Sequence, residues 1–353
     1  MRRSLILISI LLAASLMLSA CTSSAGIATS WPGLTVDEGT LYMSYSTSVY
    51  AINADNGSLI WRYPAKADNR KQYYASPAIS SDAVYVGDFG STFYKINRNS
   101  GEMVQQFSGA KNRYVGDPLV IENGVLAPSA DYYLYSLDPQ FGLNWKFETD
   151  GAIWAQPVSD GVKVYVASMD HFLYALNLKT GEMLWKVDAK GAIVGTPELD
   201  EEGVLYLASN GDVVMAVDSA RGTILWEQTL TSPVWSGMVV HEGTLYFGDL
   251  QGAFYAMDAK NGKTLWKVDV NGAMIARPAF IPDGLVVVTE AGSAIRLSLD
   301  GTKVWTKDFL NAKLYTSPVV SGEKVIIAAV GAEQLLYALD FSGNQIWSFS
   351  PAK

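Results

Sequence analysis

The chain has 353 residues, with 26 Lys and Arg against 35 Asp and Glu, for a net charge of −9. That balance argues against a general nucleic-acid binder, which needs a basic face, and against adhesion to anionic lipid through bulk charge. A single cysteine, Cys21, and two histidines, His171 and His241, leave no intrachain disulfide and too few donors for a zinc site of the common N/S type.

From the N-terminus, Arg2 and Arg3 precede an apolar stretch from Leu5 to Leu18, then Ser19, Ala20 and Cys21. The stretch is shorter than the roughly 20 residues that span a bilayer. A charged start, a short apolar core and small residues at its end mark an export signal over residues 1–20. The tetrad Leu18-Ser19-Ala20-Cys21 resembles the lipobox of bacterial lipoproteins. That resemblance implies diacylglyceryl transfer to Cys21, cleavage before it and acylation of the new amino end. Several acyl chains exceed the two signals that stable membrane anchoring requires. Loss of Arg2 and Arg3 leaves 24 basic against 35 acidic residues, a net of −11. Residues 21–31 read as a lipidated flexible tether and 32–353 as the folded unit. Thr22 follows the cysteine, and the lipoprotein sorting rule carried by the resemblance favours the outer membrane in a two-membrane cell. In a one-membrane cell the anchor lies on the outer face of the cell membrane.

Beyond the tether, a unit of about 40 residues recurs eight times and ends in tryptophan. Seven ends are Trp61, Trp145, Trp185, Trp226, Trp266, Trp305 and Trp347, and Gln105 takes the place in the second unit. The steps between them are 44, 40, 40, 41, 40, 39 and 42 residues. In the fourth unit four strand-like runs cover 157–159, 163–168, 172–177 and 182–187. Turn signals separate them, including Asp160-Gly161 and Leu178-Lys179-Thr180-Gly181. Val, Tyr, Leu and Phe occupy both alternating faces, so both faces of each small sheet are expected to be covered. An all-β, eight-bladed β-propeller of four-stranded antiparallel blades meets all of this. The recurrent tryptophan is expected to pack between blades, Gln105 to weaken the second blade locally, and the ring to close by blade one packing on blade eight.

The phrases VYVASMDHFLYALNLKTGEMLWKV and LYFGDLQGAFYAMDAKNGKTLWKV resemble the pyrroloquinoline-quinone (PQQ) type of propeller repeat, over residues 33 to 349. Two families with that repeat are similar to this chain. One comprises the quinoprotein alcohol and glucose dehydrogenases. The other is the BamB-type accessory lipoprotein of the outer-membrane β-barrel assembly machinery, which matches in length, lipobox and blade number. The dehydrogenase resemblance implies calcium held by carboxylate and amide oxygens, a catalytic aspartate and often a disulfide of adjacent cysteines. Here there is no second cysteine and no long insertion for a substrate lid, so neither PQQ nor calcium is expected.

The acidic residues recur in register, as turn residues do. Asp88, Asp131, Asp170, Asp249 and Glu290 follow second strands, while Asp138, Asp218, Asp258, Asp300 and Asp340 open third turns. One register carries varied polar chemistry at the start of the first strands, which line a propeller axis. It comprises Ser76, Asp117, Gln156, Thr196, Arg277 and Ser317, with Ser236 as the counterpart before Gly237, and it forms a candidate ligand ring at one channel mouth. Asp117 and Arg277 fall on opposite blades, too far apart for an ion pair. Trp154 and Trp235, on linkers into first strands, are read as plugs of the channel or platforms for a ligand ring. Linkers on the same end carry Arg70, Lys71, Tyr73, Tyr74, Arg113 and Tyr114, with Lys66 and Lys111, as a candidate partner patch. The expected function is a monomeric, lipid-anchored, non-catalytic envelope scaffold that binds envelope proteins, with an accessory role in outer-membrane β-barrel assembly. The alternatives are a PQQ-dependent dehydrogenase and a cell-surface propeller that binds a small ligand or carbohydrate.

Overall fold

The computed structural model describes residues 31–351. Cys21, the export signal and all of the tether except Trp31 lie outside the described residues. Thirty-two strands among the described residues form eight four-stranded sheets, each from four consecutive strands paired antiparallel. The blades cover 33–63, 78–107, 119–148, 158–188, 198–229, 239–269, 279–308 and 319–349. In blade four the strands are Val158–Ser159, Lys163–Ala167, Phe172–Asn177 and Met183–Asp188, within a residue or two of the sequence reading. First strands of neighbouring blades touch one another and line the axis. Chain direction therefore puts the links between blades and the second turns on one face. The first and third turns lie on the other.

Second and third strands hold the core. Leu41, Ile52, Val84, Val166, Leu205, Leu245 and Val325 are fully buried, in clusters shared by adjacent blades. The fourth strand differs from the reading that both faces are covered. Opposite each repeat tryptophan the pairing register slips by one residue, as between Ala175 and Leu176 or Ala256 and Met257. This bulge turns the residue before the tryptophan outward. Ile60, Leu184, Leu225 and Leu265 are consequently half exposed on the rim.

Each tryptophan reaches the next blade. Indole Nε1 of Trp61, Trp145, Trp226, Trp266 and Trp305 donates to a backbone carbonyl there, at 2.8–3.1 Å. Gln105 does not abandon the role, because its Nε2 donates to Gln140 O at 2.8 Å. Blade one closes on blade eight in the same way: Trp347 Nε1 donates to Ala54 O at 3.0 Å. Gly57, at φ 75°, lies flat against that indole, and a Cβ there would sit 2.7 Å from Trp347 Cε3. Thr316 Oγ1 donates to Pro32 O across the seam, and Lys324 pairs with Asp55 at 2.9 Å. Among the described residues no strand is exchanged between blades one and eight.

Candidate functional site: the channel mouth

The polar ring lies where the links between blades turn into the axial first strands. Burial alternates along these segments. In blade three Arg113, Val115, Asp117 and Leu119 are partly open, while Tyr114, Gly116 and Pro118 are buried between blades. Strand pairing fixes equivalent positions, since Val158 opposes Tyr165, Ala78 opposes Tyr85 and Val239 opposes Tyr246. On that register the ring reads Gly33, Ser76, Asp117, Gln156, Thr196, Gly237, Arg277 and Ser317. Ser236 is corrected: it sits one position earlier, buried, where its Oγ donates to Gly248 O and accepts from Gly248 N. The proline that follows the ring residue in blades two to five, seven and eight is absent from blade six, which hid the offset.

Ring side chains staple neighbouring blades. Asp117 Oδ1 accepts from Ser76 N at 2.5 Å, Thr196 Oγ1 from Gln156 N at 3.3 Å, and Ser317 Oγ from Arg277 N at 3.0 Å. Gln156 Nε2 donates to Pro118 O at 2.9 Å. Asp117 and Arg277 make no ion pair with each other, as expected. Arg277 instead crosses Gly237, whose missing side chain leaves room for it, and Nη2 meets Glu198 Oε2 at 2.5 Å. Glu198 went unremarked in the sequence because it lies two residues past the ring position, at the start of a first strand, where the other blades carry mostly small or apolar residues. Burial pushes the Glu198 carboxyl up, and Arg277 opposes that. Burial also pushes Asp117 up to about 6, against the hydrogen bond from Ser76.

Two residues before each ring position comes a second tier, of which sequence analysis identified only Trp154 and Trp235 as channel residues: Trp31, Tyr74, Val115, Trp154, Val194, Trp235, Ile275 and Tyr315. All eight are apolar or aromatic, and they form a collar above the polar ring. Trp31 is 41% exposed and Trp235 38%. Trp31 meets Tyr74 edge-on at 4.8 Å, Tyr74 stacks on Phe89 at 4.2 Å, and Arg113 caps Phe89 at 4.7 Å. A period-two alternation through the link is the sequence signal for this tier.

The tyrosines of the candidate patch are corrected too. Tyr73, Tyr74 and Tyr114 are 0%, 8% and 1% exposed, because Tyr73 and Tyr114 hold the inter-blade phase of the same alternation. Arg70 is exposed but forks onto Asp68, whose carboxyl it holds at about 2. Lys71 lies over Tyr94 at 4.4 Å, and Arg113 Nε is buried without a hydrogen-bond partner. The register aspartates serve their turns. Asp88, Asp131, Asp170 and Asp249 accept a third-strand tyrosine hydroxyl at 2.7–2.9 Å. Asp138, Asp218, Asp258, Asp300 and Asp340 accept N–H groups of their own turns. Glu290 pairs with Lys313 at 3.3 Å. A cleft of about 1020 Å³ between blades three and four, at Val162 and Trp145, opens on the opposite face.

Eight blades, terminal tryptophans and turn aspartates define a PQQ-type repeat propeller. The family model described as outer membrane protein assembly factor BamB matches residues 22–143, 131–234 and 209–353, and the chain belongs to that family. Outer membrane protein assembly factor BamB of Moranella endobia is 22% identical over 313 residues, 81% of this chain and 79% of that protein. The crystal structure of BamB from Moraxella catarrhalis superposes with a TM-score of 0.74 at 14% identity, covering 87% of this chain and 96% of that one. Tetrathionate hydrolase of Acidithiobacillus ferrooxidans is also similar, 22% identical over 84% of this chain but only 59% of that enzyme.

Proposed function

We propose that this chain is a lipid-anchored, non-catalytic scaffold of the outer membrane, accessory to the assembly of β-barrel proteins there. The observation that carries this reading is the full-length family match, on a ring whose blades follow one another without inserted domains. The ring chemistry supports a scaffold. Asp117, Thr196 and Ser317 each accept from a neighbouring blade's backbone N–H, and the one arginine of the ring pairs with Glu198.

The residues present do not fit PQQ with calcium. A quinone bearing several carboxylates needs arginines free to meet it, and calcium takes six or more oxygens. Among the described residues no group of three or more His, Cys, Asp or Glu side chains is placed to hold a metal. Added PQQ and calcium are therefore expected to give neither dye-linked oxidation of alcohols or sugars nor a shift in melting temperature. Micromolar binding by calorimetry would reverse that assignment.

Cys21 carries the anchor in this reading. Cys21→Ser should incorporate no palmitate and leave the membrane fraction. The parent chain, solubilised in detergent, should co-purify with components of the β-barrel assembly complex identified by mass spectrometry. Equal palmitate in variant and parent refutes the anchor. Absence of those components from the purified material refutes the scaffold role.

A further inference from the structure

From the collar and the ring beneath it, we infer that the channel mouth binds a basic side chain, lysine or arginine, presented by an extended peptide segment. Asp117 sits in the polar tier on blade three, below a collar in which Trp31 is 41% and Trp235 38% exposed. Open aromatic surfaces suit the methylene stem and the cationic head together, and a carboxylate below them completes the charge pair. This inference stands on the channel geometry and does not depend on the assembly role.

Charge around the axis selects a cation. Four charged groups stand around the mouth besides Asp117: Arg113, Glu198, Arg277 and Lys313, the last at the position of Arg113 on blade eight and paired with Glu290 at 3.3 Å. Arg277 and Glu198 neutralise each other on blades seven and five. Arg113 lies four residues ahead of Asp117, about 13 Å along an extended strand, and its guanidinium is turned onto Phe89. From blade two Asp117 meets only Ser76, and the blade-four ring residue, Gln156, is neutral. Asp117 is therefore the one carboxylate in this tier with no ion-pair partner among the described residues. An apolar ligand would leave it uncompensated, and an acidic ligand would be repelled.

The full chain in detergent should be titrated with acetyl-Gly-Gly-Lys-Gly-Gly-amide and with the same peptide carrying norleucine, which keeps the stem and lacks the charge. Calorimetry and the indole N–H resonances of Trp31 and Trp154 report binding. The lysine peptide should bind at least tenfold more tightly than the norleucine peptide at pH 7.5. Its affinity should fall as Asp117 takes up a proton near pH 6. Asp117→Asn keeps the acceptor for Ser76 N–H and should erase the preference for lysine. Trp31→Ala alters an exposed residue, leaves folding intact and should weaken both peptides several-fold. Equal binding of the two peptides would overturn the inference, as would a lysine preference that survives Asp117→Asn. So would no binding at millimolar peptide.

Discussion

One indole spans the seam where blade one meets blade eight, and Trp347→Ala tests its contribution. The side chain is only 8% exposed, packs on Gly57 and donates to Ala54 O across the seam. Removing a buried tryptophan returns roughly 150–250 Å² of apolar contact, about 4–6 kcal/mol as an upper bound. The lost hydrogen bond adds about 1 kcal/mol, while collapse of the seam recovers part, so a net loss of about 4 kcal/mol is expected. Trp347→Phe keeps most of the area and should cost about 1–2 kcal/mol. Leu310→Ala, at a side chain 84% exposed, is the control and should stay within about 0.5 kcal/mol. Urea unfolding followed by far-UV circular dichroism measures all three. Closure through Trp347 is refuted if its alanine variant unfolds at the same urea concentration as Leu310→Ala.

Three further outcomes follow from the ring and the rim. Asp117 binds its proton more tightly folded than unfolded, so it stabilises the fold at low pH and loses that contribution as pH rises from about 4 to about 6. Asp117→Asn should therefore raise stability at pH 7.5 by about 1–3 kcal/mol and by nothing at pH 3.5, measured as melting temperature against pH. Arg277→Met strands the Glu198 carboxylate and should cost about 1–3 kcal/mol at pH 7.5, with most of it restored by Glu198→Gln in the same chain. Gln105→Ala deletes one hydrogen bond to blade three and should cost about 1 kcal/mol, well below any repeat tryptophan, by urea midpoint.

Much of the architecture is legible because one physical unit is repeated. A tryptophan that must cross to the next blade and a turn that must reverse the chain recur at fixed spacing, so a missing mark such as Gln105 is bridged by its neighbours. The collar is harder to read because its residues belong to links, where no recurrent glycine or proline sets the phase. Ser76, Asp117, Gln156, Thr196, Arg277 and Ser317 each stand just before a proline, which marks the ring but not the collar. Ser236 misled because Gly237 and Met238 replace the usual mark. Tyr73 and Tyr114 looked like surface aromatics beside basic residues, yet a one-residue change of phase sends a side chain from the channel wall into the inter-blade core. Glu198 and Arg277 are 79 residues apart and meet only because the ring brings blades five and seven across a glycine.

The most direct test of the account is made in cells depleted of this chain. Newly made outer-membrane β-barrel protein is pulse-labelled, and the fraction reaching its folded, heat-modifiable form is followed over time. Depletion should lower that fraction several-fold, the parent chain should restore it, and Cys21→Ser should restore it only in part. Unchanged folding of β-barrel proteins after complete depletion would contradict the assembly role.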